Sequence, residues 1–208
     1  MRILPAGPRA LLVELDGQQD ARRFYAEVQR RRRAGWQPSL QDVVPAARTV
    51  LLDGLDDPAR AAPELAGWPL PPVTAGSGPP AEIPTVYDGE DLGEIARVWN
   101  MTREEAVATH TGIDFEVAFC GFSPGFAYLA GLPEDLHVPR RPSPRALVPA
   151  SAVALAGEYS GIYPRPSPGG WQLIGRSQVK VWDERRDPPT LLTPGMRVHF
   201  VAAGRGAT

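Results

Sequence analysis

The chain has 208 residues, room for two small domains, and its 43% apolar and 22% charged content is that of a soluble globular protein. A formal net charge of −2 gives nucleic-acid binding no overall electrostatic help, and a single cysteine, Cys120, excludes an intrachain disulfide framework and a cysteine-rich metal site. No segment reaches membrane-spanning length without charges, and the N-terminus lacks a continuous apolar run with a cleavage site, so a cytoplasmic protein is expected.

In chain order, Leu11 to Leu15 reads as a strand. Asp20 offers a helix cap, with Phe24, Tyr25 and Val28 on one face and an end near Gly35. The basic run Arg30 to Arg33 reads as a solvated polar face of that helix. Val43–Ala46 and Thr49–Asp53 read as strands. Asp57-Pro58 is a helix start, cap then proline, and that helix runs towards Gly67. The order is that of a small α/β sandwich. Trp68 to Pro84, rich in Pro, Gly and Ser, reads as a linker with the boundary near Gly78, giving domains 1–78 and 79–208.

After the linker, Ile83–Tyr87 reads as a strand, and Asp91 leads into Leu92, Ile95, Ala96 and Trp99 at helical spacing. Thr102 to Glu105 fits a capping box, opening a helix that ends between His110 and Gly112. The period then changes. Phe115, Val117 and Phe119 alternate, as do Val179 and Val181, and then Met196, Val198 and Phe200. Short apolar runs at Leu147-Val148, Val153–Ala156 and Trp171–Ile174 lie between Gly/Pro turns. Many short strands of this kind predict a closed or nearly closed β-barrel.

Gly121-Phe122-Ser123-Pro124-Gly125 matches G-x-S-x-G, the nucleophile elbow of serine hydrolases. The match is accidental. An elbow needs the backbone N–H after the serine for its oxyanion hole, and Pro124 has none. What remains is a Pro-Gly turn between Phe122 and Phe126, either a packed barrel corner or a loop whose glycines admit a ligand or another chain. Nearby, Arg140, Arg141 and Arg145 sit among prolines, and Gly161, Tyr163, Ser167, Gly169, Gly170 and Trp171 come after them in glycine-rich turns. Arginines on stiff loops suit a carboxylate or phosphate, because the guanidinium fork binds two oxygens at once. The alternative is that they pair with nearby acids or face solvent.

The stretches GFSPGFAYLAGLP, PRRPSPR, SGIYPRPSPGGWQLIGR and LLTPGMRVHF, in this order, resemble the KipI / allophanate hydrolase subunit 1 family over essentially the whole chain. The resemblance implies an α+β fold, with an N-terminal ferredoxin-like α/β domain followed by a cyclophilin-like β-barrel. It also implies a PxpB-type subunit of an ATP-dependent 5-oxoprolinase, opening 5-oxoproline to glutamate through phosphoryl activation of the amide oxygen. Activity would need a KipA/PxpC-type sister subunit and a PxpA-type third subunit. Two other roles occur in the family: inhibition of a histidine kinase, and one half of an allophanate hydrolase or urea carboxylase-like carboxyltransferase. The family usually has Val-Pro-Ala-Gly-Ser-Val where this chain has Val148-Pro149-Ala150-Ser151-Ala152-Val153. Cys120 replaces a usual aliphatic residue, which fits a buried structural role.

On this reading His110 and Arg145 are the catalytic candidates. Gly121, Phe122, Ser123, Gly125, Phe126, Arg140, Arg141, Tyr163 and Gly169 are the substrate-binding ones. For His110 the alternatives are a general acid or base and a histidine resting on its helix's C-terminal dipole. His137 and His199 read as structural or exposed, and Tyr163 and Trp171 as barrel core or rim. No P-loop, H-E-x-x-H or Cys/His cluster appears, and no biotin-acceptor Met-Lys. ATP, used by the complex, is therefore expected on a sister subunit, and no metal or biotin site is readable in this chain.

Overall fold

The computed structural model describes residues 1–72 and 80–204. The chain divides into two compact units, residues 1–74 and 75–208. The expected boundary at Gly78 lies outside the described residues.

The first unit is a four-stranded antiparallel sheet with two helices. Its elements are β1 (Arg2–Gly7), β2 (Ala10–Glu14), α1 (Gln18–Arg33), β3 (Asp42–Pro45), β4 (Thr49–Asp53) and α2 (Pro58–Ala66), and the sheet order is β1-β2-β4-β3. From β2 to α2 this is the strand-helix-strand-strand-helix path of a ferredoxin-like fold. The hairpin partner β1 fills the edge beside β2. Leu11, Val13 and Leu15 alternate with Val50 and Leu52 into one core, which Phe24, Val28, Ala61 and Leu65 close from the helices.

Three expectations change here. Gly17, not Asp20, precedes α1, and Asp20 sits in the first turn beside Arg23. Arg30 to Arg33 is not simply a solvated face. Arg30 and Arg31 both bond Glu27, which is 2% exposed and whose carboxyl they hold down at about 2 against the pull of burial. Arg31 also lies over the Trp68 ring, and Arg32 bonds the Leu40 and Gln41 carbonyls. Trp68 itself is not linker. It is buried in this core, stacked on Phe24 and edge-on to Trp36.

The second unit contains β5 (Ala81–Val86), α3 (Leu92–Val98), α4 (Arg103–Thr111), β6 (Phe115–Cys120), β7 (Ala127–Ala130), β8 (Arg145–Val148), β9 (Ala152–Ala156), β10 (Tyr159–Ile162), β11 (Ser167–Gly169), β12 (Gln172–Ser177) and β13 (Arg197–Ala202). Seven of these strands close a barrel in the order β10-β7-β6-β13-β5-β12-β9, with β13 and β5 parallel and the other pairs antiparallel. β8 and β11 form a separate two-stranded ribbon. The capping box at Thr102 and Glu105 is complete. The alternation at Val179 and Val181 does not make a strand: residues 178–196 form no regular element, although Val181 is buried.

β9 positions the site. All five of its residues are buried, and they alternate between two cores. Val153 and Leu155 join the interior cluster with Phe115, Leu129 and Phe200. Ala152, Ala154 and Ala156 face the other way, against Phe126, Tyr163, Trp171 and Leu173. A strand fed with alanines on one face leaves room for a slab of aromatics against the barrel wall. Gly161 does the same on β10: a Cβ there would stand 3.0 Å from Phe126 and 3.1 Å from Trp171.

Candidate functional site

The loop between β6 and β7 is two tight turns in series. Ser123 N–H donates to the Gly121 carbonyl at 2.7 Å across Phe122, whose φ is +66°. This is a three-residue turn of the positive-φ kind, which is strained for a phenylalanine. Phe126 N–H then donates to the Ser123 carbonyl at 3.0 Å, with Pro124 and Gly125 (φ +82°) in the middle positions of a type II turn. The Pro-Gly turn expected from the sequence is therefore present. Its effect is to hold the Phe122 ring out, 58% exposed, edge-on to Phe126 and Tyr163.

Beneath Phe122 lies a cavity of about 370 Å³, near the small end of ligand pockets, which run from ~300 to 1,000 Å³. Its floor is the aromatic slab: Phe126, Tyr128, Tyr163 and Trp171, mutually edge-on at 5.1–5.6 Å between centroids where they touch. Its rim is Arg140, Arg141, Pro142 and Pro144 on one side and Pro168, Gly169 and Gly170 on the other. Six expected binding residues thus meet there: Phe122, Phe126, Arg140, Arg141, Tyr163 and Gly169. Burial holds the Tyr128 and Tyr163 hydroxyls above the ordinary phenol range, so both are neutral donors.

Gly121, Ser123 and Gly125 shape the loop without lining the cavity. The space beside Gly125 belongs to Trp182, since a Cβ at 125 would come within 2.6 Å of the Trp182 Cβ. The space beside Gly169 belongs to the Tyr163 hydroxyl. At these two positions the missing side chain admits an aromatic neighbour, not a ligand. Ser123 Oγ is buried with no hydrogen-bond partner among the described residues, so nothing there activates it as a nucleophile.

Both expected catalytic residues lie off the cavity. Arg145 is tied down by Asp91, with its Nη2 at 2.8 and 2.9 Å from the two carboxylate oxygens, by Glu90 at 3.2 Å and by the Trp171 carbonyl at 3.4 Å. His110 closes α4 inside the barrel, 1% exposed, between Phe115 and Phe200. Its Nδ1 meets the Tyr87 hydroxyl at 2.8 Å and its Nε2 the Ser160 hydroxyl at 3.2 Å. Burial pushes its pKa down to about 3, so it is neutral at physiological pH and carries no charge for the helix dipole to stabilise. Cys120, half-buried with its thiol pushed up to about 11, reaches only the Leu192 carbonyl, in keeping with a structural role.

The residue that sequence reasoning missed is Asp91. Its carboxylate, on a residue 6% exposed, accepts from Leu173 N–H at 2.6 Å, Arg141 Nη1 at 2.9 Å and Arg145 Nη2. The segment before α3 is laid against β12 by Gly89 N–H to the Ile174 carbonyl and Asp91 N–H to the Leu173 carbonyl, which aims this carboxylate at the arginine loop. Gly89 is required there, because a Cβ would collide with the Leu173 carbonyl. Asp91 therefore fastens the cavity's arginine rim to the barrel.

Among the described residues no group of three or more His, Cys, Asp or Glu side chains gathers as a metal ion would require, and no helix is long and apolar enough to cross a membrane.

The B subunit of 5-oxoprolinase from Escherichia coli O157:H7 is 46% identical to this chain over 128 residues, 60% of this chain and 59% of that protein. The protein of the same name from Haemophilus influenzae is 43% identical over 140 residues, 66% of each chain. The matched stretches span less than two thirds of these relatives. The crystal structure of TTHA0988 superposes with a TM-score of 0.80 at 38% identity, covering 96% of this chain and 40% of that one. A profile for the carboxyltransferase domain, subdomains C and D, matches residues 1–192, nearly the whole chain. The ferredoxin-like unit, the closed barrel and this match agree with the resemblance drawn from the motifs: the chain belongs to the carboxyltransferase-domain family of subdomains C and D, in which KipI and allophanate hydrolase subunit 1 are grouped.

Proposed function

We propose that this chain is a PxpB-type subunit of a cytoplasmic, ATP-dependent 5-oxoprolinase and forms one side of its active site. The observation that carries the reading is 42–46% identity to three proteins named as the B subunit of 5-oxoprolinase. The cavity supports it chemically. A five-membered lactam is small and flat, which suits an aromatic floor with neutral phenol donors and a guanidinium rim. In the reaction water adds to the lactam carbon and the ring C–N bond breaks, leaving the carboxylate and amino group of glutamate.

The residues of this chain do not fit a triphosphate. Arg141 and Arg145 are already neutralised by Asp91 and Glu90, which leaves too little positive charge at the cavity for several phosphate charges. ATP is accordingly assigned to a sister subunit. A KipA/PxpC-type chain and a PxpA-type chain are the proposed partners, and this chain alone is proposed to be inactive.

The test is co-expression with those two subunits and measurement of ATP-dependent glutamate release from 5-oxoproline. Activity that requires all three chains supports the reading. A stable three-chain complex that releases no glutamate overturns it.

A further inference from the structure

The three arginines near the cavity differ in what already holds them. Arg141 gives its Nη1 to Asp91, and Arg145 gives its guanidinium to Asp91 and Glu90. Arg140, exposed on the rim, makes no ion pair or hydrogen bond to a carboxylate among the described residues. Three guanidinium groups thus face two carboxylates, and one positive charge is left over, at Arg140.

That charge stands at the cavity's rim. The neighbouring backbone is fixed, because Arg141 N–H donates to the Gly170 carbonyl at 2.7 Å while its side chain is anchored on Asp91. Proline at 142 and at 144 stiffens the loop beyond it. Arg140 lines the same cavity as Tyr128 and Tyr163, whose hydroxyls burial raises and the Arg140 charge pulls partly back, with Arg145 adding to the pull on Tyr163.

We infer that the cavity binds a small, flat, singly charged carboxylate, and that Arg140 is the specificity residue that separates carboxylated rings from neutral amides such as urea. One spare charge matches one carboxylate, whereas a phosphate dianion would remain half-neutralised. A neutral amide would use the floor and leave the guanidinium to water. The choice of ring rests on the oxoprolinase reading; the charge selection rests on the ion pairs alone.

The experiment is equilibrium binding of L-5-oxoproline and of 2-pyrrolidone, the same ring without the carboxylate, to the full chain by calorimetry. A hydrogen bond to a charged group contributes ~1.5–3 kcal/mol, so 5-oxoproline should bind at least about tenfold more tightly than 2-pyrrolidone. Arg140→Gln should erase that preference by weakening 5-oxoproline alone, and Arg140→Lys should restore part of it. The side chain is exposed, so neither variant threatens the fold. Added salt should weaken 5-oxoproline and spare 2-pyrrolidone. Equal affinities, no binding of 5-oxoproline to the wild type, or an Arg140→Gln variant that still prefers the carboxylate would each overturn the inference. Binding is read without catalysis, so the two ideas fail separately. An Arg140-dependent preference in a chain whose complex releases no glutamate removes the oxoprolinase reading and keeps this one. An active complex with an unselective cavity does the reverse.

Discussion

Asp91 ties three separate segments of the second unit through one carboxylate, so a single substitution there removes several contacts at once. Asp91→Ala removes the acceptor of a buried backbone N–H, Leu173, and the counter-ion of Arg145, which is only 15% exposed. Breaking a buried ion pair costs ~3–5 kcal/mol and orphaning a buried donor ~1–3 kcal/mol. The lower figure of each range applies, because Arg141 is 36% exposed and Glu90 remains for Arg145. The expected loss is about 4 kcal/mol, which at ~3 °C per kcal/mol for a chain of this length lowers Tm by roughly 12 °C. Asp91→Asn keeps an acceptor for Leu173 and loses only the charge, so it should cost about half as much. Urea unfolding followed by far-UV circular dichroism measures both. A double-mutant cycle with Arg145→Gln should return a coupling of about 2 kcal/mol, since the two side chains share one ion pair. If Asp91→Ala costs less than about 1 kcal/mol, the carboxylate is not the fastening described, because even the orphaned N–H alone should cost that much.

Two further expectations concern single residues. His110 has a folded pKa of about 3 against 6.5 when free, so its contribution to stability is complete above pH 6.5 and is lost as pH falls towards 3. The slope is about 1.4 kcal/mol per pH unit in that window. The stability gap between wild type and His110→Gln should therefore narrow steadily in urea titrations below pH 6.5, and a constant gap from pH 8 to 5 would contradict the buried neutral state. Ser151 has φ +65° where the family usually has glycine, and a left-handed non-glycine residue costs ~1–2 kcal/mol. After the extra freedom of glycine in the unfolded chain, Ser151→Gly should gain about 0.5 kcal/mol and Ser151→Val should lose about 2 kcal/mol. A glycine variant less stable than wild type would show that the turn is not strained.

Signals confined to a few residues were legible in the sequence. Asp57-Pro58 starts α2 with the Asp57 side chain on Arg60 N–H, and the Thr102–Glu105 box is complete, because both motifs are closed by residues three apart. The barrel followed from alternation, and the type II turn from Pro124-Gly125. Alternation misled at Val179 and Val181, where a segment with prolines at 188, 189 and 194 lacks the N–H groups a ladder needs. The strand β1 went unnoticed because Arg2–Gly7 is largely exposed and carries a proline, so neither period nor composition marks it. At the site, arginines and aromatics announced themselves by type and density. Their division of labour did not. Asp91 finds Arg141, Arg145 and Leu173 at separations of 50, 54 and 82 residues, and only the folded barrel brings these together. The glycines at 125 and 169 read equally as ligand clearance or as packing clearance; the side chains of Trp182 and Tyr163 decide it.

The proposed function puts the cavity under Phe122 in the active site. Its most direct test is a plug that leaves the fold alone. Gly170 lines the cavity, and a Cβ there meets nothing closer than the Arg141 carbonyl at 3.6 Å, so Gly170→Leu can start its side chain without a backbone clash at its first carbon. In the three-subunit complex this variant should assemble normally and lose at least about tenfold in glutamate release, the scale of one misplaced contact in a reacting site. A complex carrying Gly170→Leu that opens 5-oxoproline at the wild-type rate would place the chemistry elsewhere.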